Sequence, residues 1–140
     1  GMFRMIQLIY GSKGSGKTKR LIEMVNAEVN ATDGSVVFMD DNKRYMYDVR
    51  HQVRFVDVSE YSVDSEEKLY GFICGMLAQN FDISAIYLDA FIHIVKKQPE
   101  EMEFFFKTLI QLAEKNNVKL VLNVSADPAV MPEYLKAFVI

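Results

Sequence analysis

The chain has very little cysteine, and this scarcity excludes two kinds of site. Its 140 residues contain one cysteine, Cys74. A disulfide framework and a metal cluster built on several cysteines are therefore both excluded. A lone thiol suits a reducing compartment, and we expect a cytoplasmic protein.

The sequence also lacks a long apolar run. A membrane-spanning helix needs about 18 consecutive apolar residues. The most apolar stretch, residues 83–95, is shorter and is interrupted by Asp89 and His93. We expect no membrane span. We also expect no signal peptide, because Met2 and the next three residues lead directly into an apolar strand, and we interpret Gly1 as a cloning scar.

An excess of positive charge is absent as well. Lys and Arg number 16 against 19 Asp and Glu, which gives a formal net charge of -3. Binding to nucleic acid through bulk positive charge is therefore not favoured, although a local basic patch remains possible. One basic stretch is interleaved with Tyr45 and Tyr47. It is either a substrate clamp, an arginine finger or a contact to nucleic acid, or else an exposed connection of mixed charge. Its members are Lys43, Arg44, Arg50, His51 and Arg54.

What the sequence does have is a regular alternation of strand-like and helix-like segments, with no Gly/Ser/Pro-rich linker between them. Strands are predicted at residues 5–10, 35–39, 53–58, 83–88 and 118–124, with a further terminal strand possible at 137–140. Helices are predicted at residues 18–29, 64–77 and 99–117, with a helical turn or two at 128–136. Such alternation predicts one α/β domain over residues 2–140, a three-layer α/β/α sandwich with a mainly parallel five-stranded sheet.

Two helix starts carry specific signals. Asp64 precedes Glu67 by three residues, the spacing of a capping box, and predicts the start of the second helix. Pro99 predicts the first turn of the third helix, because proline is tolerated there.

Residues 11–18 match the pattern G-x-x-x-x-G-K-[ST] in full and lie between a predicted strand and a predicted helix. Glycines let successive backbone N–H groups point at a phosphate, and the following helix N-terminus adds partial positive charge. Lysine supplies a mobile ammonium for the β- and γ-phosphates, and threonine supplies a hydroxyl for Mg²⁺. The phosphate-binding candidates are Gly11, Ser12, Lys13, Gly14, Ser15, Gly16, Lys17 and Thr18.

On these residues the chain resembles the P-loop NTPases. The resemblance implies the fold of that family, with ATP and Mg²⁺ as ligands. It also implies an apolar strand that ends in an acidic residue and holds Mg²⁺ through water. The strand at residues 83–88 followed by Asp89 fits, so Thr18 and Asp89 are the metal-site candidates. A buried strand can also end in aspartate without any metal role.

Within that family the chain is similar to the RecA-like branch. Many ATPases have a glutamate directly after the metal-binding aspartate, but here Ala90 follows. The RecA-like branch can place an acid after the second strand, which makes Asp40 or Asp41 the candidate catalytic base. Both could instead be solvated carboxylates at a strand end. The resemblance also implies a polar residue that senses the γ-phosphate, and Asn123 or Ser125 is positioned for this role.

Guanine specificity is disfavoured. GTPases use [NT]-K-x-D, whereas Asn42-Lys43-Arg44 is followed by Tyr45 and comes too early in the chain. ATP is therefore the expected nucleotide.

Three functions remain open. The first is a weak or partner-activated Mg-ATPase. The second is a small nucleoside or nucleotide kinase that resembles a reduced thymidine kinase, although the four-cysteine zinc lobe of that family is missing. The third is a nucleotide-dependent adaptor without hydrolysis.

A chain this short leaves little room for a lid or an effector module, so we expect a protein partner or a second copy. Four apolar residues after Asp89 are either part of a partner surface or part of the core. They are Phe91, Ile92, Ile94 and Val95.

Overall fold

The computed structural model describes residues 4–140. Residues 1–3 lie outside this range. They include Gly1, which we interpret as a cloning scar, and the start of the segment that we expect to lead into the first strand. Within it the chain forms one sheet of five parallel strands in the order β1-β5-β4-β2-β3. The strands are β1 (Ile6–Gly11), β2 (Ser35–Asp40), β3 (Arg54–Asp57), β4 (Ile83–Leu88) and β5 (Lys119–Ser125).

Four α-helices connect these strands within residues 4–140. They are α1 (Lys17–Ala31), α2 (Glu66–Gln79), α3 (Phe91–Val95) and α4 (Glu103–Asn116). Short 3₁₀ turns lie at Met46–Asp48, Val58–Tyr61, Pro99–Glu101, Pro128–Val130 and Glu133–Phe138. None of the helices in the described part of the chain is long and apolar enough to cross a bilayer.

The helices cover both faces of the sheet. On one face, Leu21 and Val25 of α1 pack against a cluster that contains Phe38 and Tyr87. On the other face, α2, α3 and α4 pack against the sheet, with Phe106 fully buried among them. Helices on both faces bury the strands of a parallel sheet, and such strands are therefore rich in β-branched and apolar residues. The predicted three-layer α/β/α sandwich with five strands is confirmed.

Several local predictions require correction. The N-cap of α2 is Ser65, whose hydroxyl accepts the Lys68 N–H at 3.2 Å, and Asp64 pairs with the Lys68 ammonium instead. Pro99 opens a 3₁₀ turn rather than α4, which begins four residues later. Serine and aspartate are comparably good caps, so adjacent candidates cannot be ranked by residue type.

The terminal strand proposed for residues 137–140 is also wrong. Ala137 and Phe138 end a 3₁₀ turn, and beyond them only an isolated bridge joins Val139 to Leu8. For three of the four apolar residues after Asp89 the structure decides in favour of the core, because Phe91, Ile94 and Val95 are buried in helix α3. The fourth, Ile92, is half-buried and lines a cleft at the sheet edge.

The parallel register brings the carboxyl ends of the strands to one edge of the sheet. Gly11 ends β1 opposite Ser125, and Asp40 ends β2 opposite Asp57. Ligands of open α/β sheets bind outside this edge. The residues singled out from the sequence therefore meet where such a sheet places its site.

Candidate functional site

The loop between β1 and α1 depends on its glycines. Gly14 and Gly16 adopt φ values of 84° and 85°, a region that residues with a Cβ rarely occupy. At Gly11 the constraint is proximity, since an added Cβ would lie 2.9 Å from the Ser15 hydroxyl oxygen. Gly16 precedes α1 with no side-chain cap, so the first N–H groups of the helix remain available to a ligand.

Lys17, the first residue of α1, is buried and folds over this loop. Its ammonium donates to the Ser12 carbonyl oxygen at 2.7 Å and to the Ser15 hydroxyl at 3.4 Å. Burial lowers the pKa of Lys17, and the charge of Asp89 opposes that shift. A cation is thus held at the centre of the loop by weak neutral acceptors.

Three side chains from distant parts of the sequence meet beside the loop. The Thr18 hydroxyl lies 3.2 and 3.3 Å from the two carboxylate oxygens of Asp89. The Asn123 amide donates to Asp89 Oδ1 at 2.5 Å and lies 3.4 Å from the Thr18 hydroxyl oxygen. Because β5 lies between β1 and β4, its Asn123 stands between the loop and the aspartate. The Asn123 Oδ1 atom is buried without a partner.

Asp89 follows β4 at a strained turn. Its N–H donates to the Met39 carbonyl oxygen at 2.9 Å, which ties the end of β4 to β2. Ala90, the next residue, has a φ of 58° although it carries a Cβ. A non-glycine residue in this conformation stores strain, and such strain is concentrated at functional sites.

The two candidate bases after β2 have different surroundings. Asp40 is buried, and its Oδ1 accepts the Asp41 N–H at 2.8 Å while its Oδ2 has no partner. Burial, and then the charge of Asp89, raise the pKa of Asp40 to about 8. The Asp41 carboxylate instead pairs with the imidazole of the exposed His93. Of the two candidates, Asp40 is the buried carboxyl, and the charge of Asp89 acts on it.

A cleft of about 1200 Å³ connects most of these groups. From the predicted residues it is lined by Lys13, Gly14, Gly16, Lys17, Thr18, Asp40, Asp41, Asp89, Asn123 and Ser125. Of the two candidate sensors, Asn123 contacts Thr18 and Asp89, whereas Ser125 is an exposed lining residue. Gly11, Ser12 and Ser15 line a second cavity of about 440 Å³, which shares Gly16 and Lys17 with the cleft.

The basic stretch at residues 43–54 is not a single patch. Arg44 and Tyr45 line the cleft, with the guanidinium carbon 5.1 Å from the ring centroid. The Arg50 N–H donates to the Asn26 side chain of α1 at 2.9 Å, and Lys43 pairs with Glu60. Of this stretch, Arg44 is the arginine positioned toward the candidate site.

The donor set suits a small hard cation. Within residues 4–140 no group of three or more His, Cys, Asp or Glu side chains forms a cage for a metal ion. The Thr18 hydroxyl and the Asp89 carboxylate are hard oxygen ligands, and Mg²⁺ typically takes one or two protein ligands together with phosphates and water. The residues therefore fit a magnesium–phosphate complex.

Sequence reasoning missed three features of this region. His93 had no visible partner, because Asp41 lies on another strand end. The positive φ of Ala90 has no residue-type signal. The second cavity includes Arg20 and Pro128, which flank the loop only in the folded chain. In the sequence, the only indication of this cavity was that Arg20 follows Lys17 by three residues at the start of a predicted helix, a spacing that places both near the loop.

No protein-family model matches the chain, and no curated protein matches it. Among solved structures it is similar to the crystal structure of the flagellar accessory protein FlaH from Methanocaldococcus jannaschii. The two are 12% identical, and the match covers 98% of this chain and 67% of that one with a TM-score of 0.48. At this level the likeness identifies neither a family nor a function for the chain.

Proposed function

We propose that the chain binds a nucleoside triphosphate with Mg²⁺ through residues 11–18 and hydrolyses it slowly, as a small ATPase of the RecA-like P-loop type. The observation that carries the proposal is the meeting of Thr18, Asp89 and Asn123 within hydrogen-bond distance beside the loop. An ordinary glycine-rich turn needs no such convergence of a hydroxyl, a carboxylate and an amide.

Each residue has a role that its surroundings support. The loop N–H groups and the Lys17 ammonium bind the phosphates, since the present partners of Lys17 are neutral oxygens that a phosphate outcompetes. Thr18 and Asp89 would hold Mg²⁺, which would neutralise negative charge on the bound phosphates. Asn123 contacts both residues and is placed to sense the terminal phosphate through its amide.

Hydrolysis requires a water oxygen to bond to the γ-phosphorus while the bond from that phosphorus to the bridging oxygen breaks and ADP leaves. The water proton needs an acceptor, and we assign this role to Asp40, with Asp41 restrained by His93. Because the pKa of Asp40 is raised to about 8, the Asp40 carboxyl is protonated in most molecules at neutral pH and cannot accept a proton in them. With Ala90 in the place of a glutamate, the expected turnover is slow without a partner protein or second copy.

Calorimetry with Mg-ATP tests the binding. We expect Lys17→Ala to weaken binding by about 100-fold or more, because several charge-assisted hydrogen bonds are lost. We expect Asp89→Ala to abolish the Mg²⁺ dependence of binding. Lys115→Ala is the matched control, since Lys115 is exposed near the end of α4. Thermal unfolding of each variant separates loss of binding from loss of fold.

Phosphate release measured on the same samples discriminates between the functions. Release that both substitutions abolish supports an ATPase, while transfer only when a nucleoside is added supports the kinase. Tight Mg-ATP binding without turnover, alone or with cell extract, supports the adaptor. If neither Mg-ATP nor Mg-GTP binds at near-millimolar concentrations, the proposal is wrong.

A further inference from the structure

We propose that the nucleoside end of the ligand lies in the second cavity, against Arg20 and Pro128. We also propose that this cavity holds the base without discriminating between the four nucleobases. This inference rests on the proposed function and concerns how the nucleotide is oriented. It predicts a protein that binds ATP, GTP, CTP and UTP with similar affinity.

The orientation of the nucleotide follows from the residues of the loop that line each of the two cavities. Thr18, Asp89 and Asn123, which suit Mg²⁺ and the terminal phosphate, all line the larger cleft at the ends of β4 and β5. The second cavity lies along the edge strand β1 and shares Gly16 and Lys17 with the cleft. A triphosphate carries its nucleoside at the end away from the γ-phosphate, so the nucleoside leaves the loop on the β1 side.

Arg20 forms one wall of this second cavity. Its Nη1 donates to the backbone oxygen of Ile140 at 3.3 Å, and the Ile140 N–H donates to the Leu8 carbonyl oxygen of β1 at 3.0 Å. These contacts hold the guanidinium beside the edge of the sheet. A planar guanidinium stacks well on a flat aromatic ring, and every nucleobase offers such a face.

Pro128 forms an apolar wall near the end of β1. The Ala126 N–H donates to the Gly11 carbonyl oxygen at 3.1 Å, which fixes the chain beside the loop. The Asp127 carboxylate accepts the Ala129 N–H at 2.9 Å and caps the turn that begins with Pro128. The proline ring is therefore held in place before any ligand arrives.

With these roles assigned, no described side chain of the second cavity is left to distinguish one base from another. Among the described residues that line it, none carries a carboxylate or an amide, the side-chain groups that pair with the edges of cytosine and adenine. Arginine and lysine can pair with guanine, but here the Lys17 ammonium is assigned to the phosphates and the Arg20 guanidinium to the face of the base. The polar side chains present are the hydroxyls of Tyr10, Ser12 and Ser15 and the cations of Lys17 and Arg20. Hydroxyls both donate and accept, so they tolerate any base edge.

Calorimetry with Mg²⁺ and five probes tests this arrangement: ATP, GTP, CTP, UTP and inorganic tripolyphosphate, which lacks a nucleoside. We expect ATP to bind about 3- to 10-fold more tightly than tripolyphosphate, the contribution of one exposed stacking contact. Arg20→Ala should bring ATP to the affinity of tripolyphosphate and leave tripolyphosphate unchanged. The four nucleotides should agree within about fivefold, since no base edge is read.

Arg54→Ala is the matched control, because Arg54 is exposed on the far edge strand β3 and lines neither cavity. A preference above about 30-fold for one base would overturn the inference, since that requires a directional base contact. Equal weakening of ATP and tripolyphosphate by Arg20→Ala would also overturn it, as would equal affinity of the two probes for the unmodified protein. If neither probe binds, the proposed function fails as well, which is a separate and recognisable result.

Discussion

The two ends of helix α1 each contribute to a group of buried and half-buried polar side chains, and the two groups differ in how completely they are paired. Near the end of α1, the Tyr87 hydroxyl donates to Glu28 Oε1 at 2.6 Å, and the Lys119 ammonium pairs with the same oxygen. We call these three residues the closed cluster. The Lys119 ammonium also lies 5.8 Å from the centroid of the Tyr87 ring.

At the start of α1, the residues beside the loop form what we call the open cluster. Its members are Lys17, Thr18, Asp40, Asp89 and Asn123. Asp40 Oδ2 and Asn123 Oδ1, both in this cluster, are the buried side-chain oxygens without a partner in the part of the chain that the structure describes. Buried polar atoms are almost always paired in folded proteins, because leaving one unpaired costs about 1–3 kcal/mol.

The difference distinguishes polar side chains that stabilise the fold from polar side chains that are available to a ligand. A paired cluster contributes to the stability of the fold and gains nothing from a ligand. A cluster with buried unpaired oxygens costs stability until something donates to them or coordinates them. Substitutions in the two clusters should therefore act on different measurements.

The largest expected effect on stability is in the closed cluster. Glu28→Ala leaves the buried Tyr87 hydroxyl and the half-buried Lys119 without their shared acceptor, which should lower the free energy of unfolding by about 2–3 kcal/mol. Urea denaturation measures this loss, with the exposed Glu114→Ala on α4 as a control expected to stay within about 0.5 kcal/mol. Mg-ATP affinity should not change. A loss of nucleotide affinity without a loss of stability would break the distinction between the clusters.

The next effect concerns the pH dependence of the open cluster. The pKa of Asp40 is about 8 in the folded protein against an ordinary value of 3.8. Between these values the unfolded chain releases the proton and the folded chain retains it, so stability falls as pH rises from about 4 to about 8. Asp40→Asn should remove this fall in stability between pH 4 and pH 8.

Urea denaturation at several pH values between 4 and 8 compares the slopes. The exposed Asp33→Asn serves as the control and should follow the unmodified protein. Parallel curves for Asp40→Asn and the unmodified protein would show that Asp40 is ionised in the fold, contrary to its assigned protonation state.

The smallest effect separates two glycines. Gly16→Ala forces a Cβ into a backbone with a φ of 85° and should cost about 1–2 kcal/mol of stability. Gly71→Ala lies in α2 with open space around the added Cβ, and should raise stability by about 0.5–1 kcal/mol. Differential scanning calorimetry of both variants gives the comparison. Equal effects would mean that the loop does not require its left-handed glycine.

Much of the fold could be predicted because its signals are local. The alternation of apolar strands and amphipathic helices predicted the layers and the five strands, and the pattern at residues 11–18 predicted a loop between a strand and a helix. Strand order was not accessible in this way. Whether β5 lies beside β1 or beyond β4 depends on packing between distant segments, and its actual position is what places Asn123 against Asp89.

Neighbouring residues of similar type were also beyond the reach of sequence. Asp40 and Asp41 are adjacent aspartates, yet the first is buried and the second pairs with His93. Asp40 is the last residue of β2 and Asp41 is the first residue after it, so one position in the sequence separates the sheet from the loop and changes the environment of the carboxylate. The same limit explains why Ser65 rather than Asp64 caps α2.

By itself the sequence determined the α/β class, the position of the glycine-rich loop and the presence of an aspartate at the end of a buried strand, because each depends on the spacing of residues along a short segment. Only the tertiary structure decided which polar groups meet. It brought together residues 18, 89 and 123, buried the Asp40 carboxyl and set Arg20 beside Pro128. Those contacts arise from the order of strands in the sheet, and that order depends on packing between segments that are distant in the sequence.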